Sequence, residues 1–161
     1  MDIKVTKITD ESLMRKACSF TSGKESKASL KKMYASEHSP CRTQMFVVEM
    51  IGIPTYASVH YTRHHIGVEH FVKSNRDKDE VITRDTPVNH MMLINAQALM
   101  NMARKRLCHK ADYTVQCIMT AICDEISEID KALCSCLMPD CEYKKRCTEF
   151  KPCGYWEKTN G

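Results

Sequence analysis

Apolar and polar residues alternate at the start of the chain, where Ile3, Val5 and Ile8 predict an edge strand over residues 1–9. Asp10 is placed to cap a short helix over 11–18. Residues 19–29 are rich in Ser, Lys and Gly and read as a loop. Another helical stretch covers 30–35, after which Pro40 biases Ser39 away from helix. The run Met45-Phe-Val-Val-Glu-Met-Ile-Gly-Ile-Pro54 is rich in strand formers and stops at the turn residues Gly52 and Pro54. Residues 55–63 fit a helix with Tyr56, Val59 and Arg63 on one side, and 73–85 are polar enough for an exposed excursion.

Pro87 suits the first turn of a long helix, with Thr86 or Asp85 as its cap. Met91, Ile94, Ala98, Met102 and Lys105 make one stripe along it; Asn95, Leu99, Met102 and Arg106 make the next. A second helix is expected over about 112–134, turning Val115, Ile118, Met119, Ile122, Ile126 and Ile129 inward. The two predict a packed antiparallel pair. From Cys134 the pattern changes, since Pro139 and Pro152 interrupt any helix and Cys134, Cys136, Cys141, Cys147 and Cys153 crowd together. The chain therefore divides into one domain over 1–133 and a loop-rich, Cys-rich tail over 134–161.

Composition narrows the function classes. A length of 161 residues suits one domain able to bury a core of its own. The net charge of +4 is compatible with nucleotide or phosphate ligands and too small for a dedicated nucleic-acid binder. No apolar run is long enough for a membrane span, and residues 1–8 lack the apolar core of a signal peptide. The expectation is a cytoplasmic protein that binds neither membrane nor nucleic acid. In such a compartment the ten cysteines are thiols, metal ligands or redox groups. Cys136, Cys141, Cys147 and Cys153 are the candidate set for structural Zn2+, although their spacings lack the usual close pairs. An iron–sulfur cluster fits by ligand count, and free thiols are the alternative. Cys108, Cys117 and Cys123 fall in helical patterns as core or near-core residues.

The densest chemistry lies in residues 61–76, which hold Arg63, His64, His65, Glu69, His70, Lys73, Ser74 and Arg76. Cations and imidazoles beside a hydroxyl suit an anionic phosphate or a redox cofactor; a solvated helix face has the same composition. On the long helix, Asn95 and Arg106 are three turns apart and share a face, whereas Asn101 lies further round. Amides and a guanidinium among core methionines need a partner, and a base or a phosphate supplies one.

In order, His38-Ser39-Pro40, an apolar strand, Arg63-His64-His65, Ser74-Asn75-Arg76 and the Asn95–Ala111 helix resemble the flavin-dependent thymidylate synthases. The likeness runs over about 38–126 and lies in the collinear set of motifs. Arg63 and His64 match the first two positions of that family's signature, and His65 stands where an arginine is usual. Ser74 and Arg76 fit after a one-residue insertion. Gln97 replaces an arginine, Lys110 a histidine and Asp112 a glutamine, and the segment before the long helix is shorter than the family's.

The resemblance implies an α+β fold with a small antiparallel sheet packed against long helices. It implies an FAD-dependent methyltransferase that makes dTMP from dUMP, with methylenetetrahydrofolate as carbon donor and NADPH as reductant. Under it, Arg63, His64, His65, Asn95 and Asn101 hold FAD, and Ser74, Arg76 and Arg106 hold the nucleotide. Sites form between subunits of a homotetramer, and no activated Cys or Ser nucleophile is required. A non-catalytic nucleotide- or metal-binding relative of the fold is the alternative.

Overall fold

The computed structural model describes residues 1–73 and 81–160. Four strands make one antiparallel sheet: β1 (Asp2–Lys7), β2 (Met45–Pro54), β3 (Val68–Val72) and β4 (Pro87–Asn95), in the order β1-β2-β4-β3. β1 is an edge strand, as its alternation predicts. Pairing of β2 with β4 sets Phe46 opposite Ile94, Val48 opposite Met92, Met50 opposite His90 and Ile53 opposite Val88. All eight are buried, so one face of the central pair forms the core, with His90 as its polar member. Gly52, at φ +68°, takes up the irregularity between Met50 and Ile53, and its N–H donates to Asn89 Oδ1 at 3.1 Å.

The helices are α1 (Glu11–Ser22), α2 (Leu30–Ala35), α3 (Thr55–Thr62), α4 (Ala96–Arg106), α5 (Tyr113–Ile129), α6 (Lys131–Cys134), α7 (Asp140–Lys144) and α8 (Tyr155–Asn160). α5 packs chiefly across β1 and also touches α4. Val115, Ile118, Met119, Ile122 and Ile126 face inward as expected. Glu125 Oε2 accepts the Val5 N–H at 3.2 Å, which satisfies an outer-edge donor of β1. Beneath this, buried Asp130 accepts from Lys7 Nζ and from the Tyr34 hydroxyl, each at 2.7 Å, and caps α6 through the Leu133 N–H. Burial and the Asp130 hydrogen bond both push the Tyr34 phenol above its ordinary range. No described helix is long and apolar enough to cross a membrane.

Several expectations are corrected. The helix expected to start at Pro87 is a strand up to Asn95, and α4 begins only at Ala96. Val88, His90, Met92 and Ile94 are buried while Pro87, Asn89 and Met91 are exposed, a period of two imposed by pairing with β2. Pro87 sits at the first position of the strand, where its missing N–H is tolerated. Residues 68–72 of the charged stretch are strand β3 instead of a helix face. On α3 the buried side is Ala57, Ser58 and Tyr61, while Val59 and Arg63 are exposed.

The helix expected over 112–134 breaks at Asp130, whose φ −152° and ψ 78° separate α5 from α6, and Ile129 turns outward. α1 runs on to Ser22, with the hydroxyls of Ser19, Thr21 and Ser22 turned back onto carbonyls of the preceding turn, until Gly23 ends it at φ 71°. Ser39 opens a 3-10 helix (Ser39–Thr43) in which Pro40 occupies the first turn. Cys134 is the last residue of α6, and Leu133 and Cys136 near it are both in the core.

Candidate functional site

The site is built where α3 ends, β3 begins and α4 passes behind. Three side chains absent from the expected site, Ser58, His70 and His90, set its geometry. Because the His64 carbonyl only accepts, His70 Nε2 at 2.6 Å must carry a proton. In neutral His70, Nδ1 is then the acceptor for His90 Nε2–H at 2.9 Å, which leaves His90 Nδ1 to accept from the Ser58 hydroxyl at 3.0 Å. One run of bonds, Ser58 to His90 to His70, thus ends on the backbone of His64. Burial holds His90 neutral, its pKa lowered to about 4, with His70 contributing further. In the sequence Ser58 and His90 are legible only as a helical Ser and a scattered His, because residues 87–95, which form β4, also fit a helical period.

His64 itself is half-buried, and its pKa is lowered to about 4 by burial and then by the nearby Arg106 charge. His60 is lowered for the same two reasons, with Arg63 adding to them. Arg106 donates from Nη2 to the His60 carbonyl at 2.6 Å. Burial lowers its pKa, the nearby Tyr61 opposes that, and Arg63 adds to it. Two buried atoms here, Arg106 Nε and His64 Nε2, have no partner among the described residues. The unpaired Arg106 N–H beside two guanidiniums makes the local potential positive, which suits an anionic ligand, and the neutral His64 nitrogen adds an open hydrogen-bonding position. Both residues fit a phosphate-bearing cofactor or substrate on that ground.

Asn95 caps α4, its Oδ1 accepting the Ala98 N–H at 2.9 Å, and its own N–H donates to the Gly67 carbonyl at 3.0 Å. Gly67 is held at φ +75°, and a Cβ there would lie 2.4 Å from Asn95 Nδ2. Asn95 is therefore a structural cap first, fixing the loop that carries His64 to the start of α4.

Asn101 does not join this group. It is exposed on the far side of α4, where its Oδ1 accepts from Arg104 Nη1 at 2.9 Å and from Gln97 Nε2 at 3.4 Å. Gln97 also donates to Glu37 Oε2 at 2.6 Å, and Arg104 pairs with Glu37 Oε1 while stacking 3.5 Å over the Tyr143 ring. Those contacts outweigh burial and hold the Glu37 carboxyl below its usual range. The separation follows from helix geometry, with Asn101 and Arg106 well apart around the axis. His65 is exposed, with Nδ1 at 3.2 Å from the Arg63 carbonyl, and Arg63 is exposed at the end of α3. Ser74 and Arg76 lie outside the described residues.

In fold the chain is similar to thymidylate synthase X from Helicobacter pylori, seen in two crystal structures with FAD and dUMP. The TM-scores are 0.67 and 0.71 at 15% and 14% identity, over 84% and 86% of this chain and 99% and 100% of the neighbour. The UMP/dUMP methylase PolB from Streptomyces cacaoi, bound with 5-Br dUMP, gives 0.66 at 11% identity over 84% of this chain and 94% of that one. The fold is that of the flavin-dependent thymidylate synthases. No family model and no curated protein matches the sequence.

On this thymidylate synthase fold, the tail cysteines do not gather as the zinc set requires. Cys136 is buried at the end of α6, with Sγ 3.7 Å from the Ala132 carbonyl. Cys141, Cys147 and Cys153 line a different cavity, together with Cys108. Among the described residues, no three His, Cys, Asp or Glu side chains are placed to hold one metal ion. None of the ten described cysteines is in a disulfide, and burial pushes Cys123 up to about 12.

Proposed function

We propose that the protein catalyses methylation of dUMP to dTMP, with FAD as cofactor, methylenetetrahydrofolate as carbon donor and NADPH as reductant. What carries the reading is the pair of unpartnered buried atoms, Arg106 Nε and His64 Nε2, on a fold shared with proteins crystallised with FAD and dUMP. When bound, the flavin supplies the hydride; the chain binds and orients. Arg106 presents a guanidinium whose position is fixed by the His60 carbonyl, leaving Nε to meet a phosphate oxygen. Neutral His64, seated by the Ser58–His90–His70 run, offers a hydrogen bond without a second fixed charge. Arg63 and His65 extend the positive edge toward solvent. Ser74 and Arg76 complete the nucleotide clamp in this reading.

Asn101 and Arg106 point to different sides of α4, so one chain cannot bring both to one ligand. A homotetramer whose sites lie between subunits reconciles them, the Asn101 face of one copy meeting the Arg106 face of another. Residues 1–133 form the catalytic domain in this reading.

A second reading, a nucleotide-binding relative without turnover, is favoured by one observation. Gln97 and Asn101 are already engaged by Glu37 and Arg104. Purified protein should carry or take up FAD, show a higher Tm with dUMP, and form dTMP when the folate and NADPH are added. FAD uptake and a dUMP shift without dTMP would select the second reading. Absence of both overturns the proposal.

A further inference from the structure

Cys108 belongs with the tail. It follows α4 in the turn toward α5, yet it lines the same cavity, about 170 Å³, as Cys141, Cys147 and Cys153. Two contacts hold the two segments together around it, and a third closes the tail on itself. The His109 ring stacks on Tyr155 at 4.0 Å, Lys110 Nζ donates to the Lys151 carbonyl at 2.7 Å, and the Tyr155 hydroxyl donates to Glu142 Oε1 at 2.7 Å.

Arg104 over the Tyr143 ring and Lys105 at 3.9 Å from Asp140 tie α7 to α4, but the tail beyond Cys136 carries little core of its own. Neither α7 nor α8 buries a residue, and Phe150 is fully exposed. A segment without a core of its own needs a covalent or metal staple to hold one shape. The chain nevertheless takes left-handed turns at Lys145, with φ 56°, and at Gly154, with φ 78°, and Cys141 from before the first turn faces one space with Cys147 and Cys153 from between the two.

The type of group follows from the number of thiols and from their failure to converge on one ion. A single zinc ion needs each sulfur at about 2.3 Å from one centre. No three described ligands meet that demand. Four cysteines set around a cavity match a group with several metal atoms, each taking one thiolate, as in iron–sulfur clusters. Such a cluster with four thiolates is anionic, and the cavity lining carries Arg104, Lys105 and Lys110 against the carboxylates of Asp140 and Glu149, a small positive excess.

We propose that Cys108, Cys141, Cys147 and Cys153 ligate one [4Fe–4S] cluster that fastens the tail to the α4–α5 turn, with Cys136 outside the ligand set. Loading from a thiol-ligated cluster is a ligand exchange. Four Fe–S bonds to the exogenous thiolates break, four to the cysteines form, and each cysteine proton passes to a departing thiolate. No atom changes oxidation state.

The test is independent of the methylation reading, because iron and sulfide are measured apart from FAD and dTMP. The full chain is purified without oxygen and, in parallel, exchanged with a synthetic thiol-ligated cluster. The expected result is about four iron and four sulfide per chain, broad visible absorbance and a paramagnetic signal on reduction. Cys108→Ser and Cys147→Ser should lose the cluster, while Cys136→Ser keeps it at the wild-type level. Wild-type chain that takes up no iron and sulfide by either route overturns the proposal, whatever the variants do. Stoichiometric zinc in their place, full iron in Cys108→Ser, or loss in a folded Cys136→Ser chain does so too.

Discussion

His70 donates from Nε2 to the backbone carbonyl of His64 at 2.6 Å, and so a strand side chain fixes the loop that leaves α3. The tautomer of His70 dictates that of His90, whose other nitrogen is served by Ser58. Replacing His90 by Leu leaves the Ser58 hydroxyl and His70 Nδ1 unpaired. It should destabilise the fold by about 1–3 kcal/mol, measured by urea unfolding. A change below about 0.5 kcal/mol, the range of ordinary surface substitutions, would show that the run of bonds does not support the fold.

His64 and His90 both have folded pKa values lowered from the ordinary 6.5 to about 4, chiefly by burial. Above pH 6.5 each is neutral, folded or unfolded, and neither opposes folding. As pH falls from 6.5 toward 4, the unfolded chain binds protons that the folded chain refuses, so stability declines across that window. Denaturation midpoints at successive pH values should fall on acidification through it, and His90→Leu should flatten the profile. A wild-type midpoint constant across the window contradicts this assignment.

Gly67→Ala adds a Cβ at 2.4 Å from Asn95 Nδ2 to a residue held at φ +75°. Strain of this kind costs about 1–3 kcal/mol, and relief requires the α4 cap to move. A clearly lower Tm is expected. Asn95→Ala combined with Gly67→Ala should cost less than the sum of the two singles, because removing the amide removes the clash.

Arg106→Ala removes the guanidinium with the unpaired Nε. If that group meets the nucleotide phosphate, the loss is about 1.5–3 kcal/mol, roughly tenfold or more in Kd for dUMP. Arg106→Lys should not restore affinity, since a point charge lacks the fork. Calorimetric titration with dUMP reads both variants, and wild-type affinity in Arg106→Ala would remove Arg106 from the nucleotide site.

Asp130 joins β1, α2 and α6 through Lys7, Tyr34 and the Leu133 N–H. Removing a buried carboxylate that compensates a cation and two donors is expected to cost about 3 kcal/mol or more. Asp130→Ala should therefore be among the more damaging substitutions, and Tyr34→Phe much milder. Unfolding free energies measured side by side decide it, and a mild Asp130→Ala would mean that water replaces the carboxylate at low cost.

The amino-acid order by itself determined what depends on near neighbours. The inward face of α5, the cap at Asp10, the strands at Asp2–Lys7 and Met45–Pro54, and the wide angle between Asn101 and Arg106 all follow from one helix or one strand repeating locally. The run from Arg63 to the α4 helix was legible as a set of motifs, and the fold they imply is the one observed. Tertiary structure alone decided the rest. Met91, Ile94, Ala98 and Met102 satisfy a helical period as well as Val88, His90, Met92 and Ile94 satisfy a strand's, and only hydrogen bonds to β2 choose between them. That choice turned a presumed helical His90 into the partner of Ser58 and His70. It also made Asn95 a cap, and the return of the tail set Cys108 beside three distant cysteines. A pairing partner far along the chain leaves no periodic trace at the residues it organises.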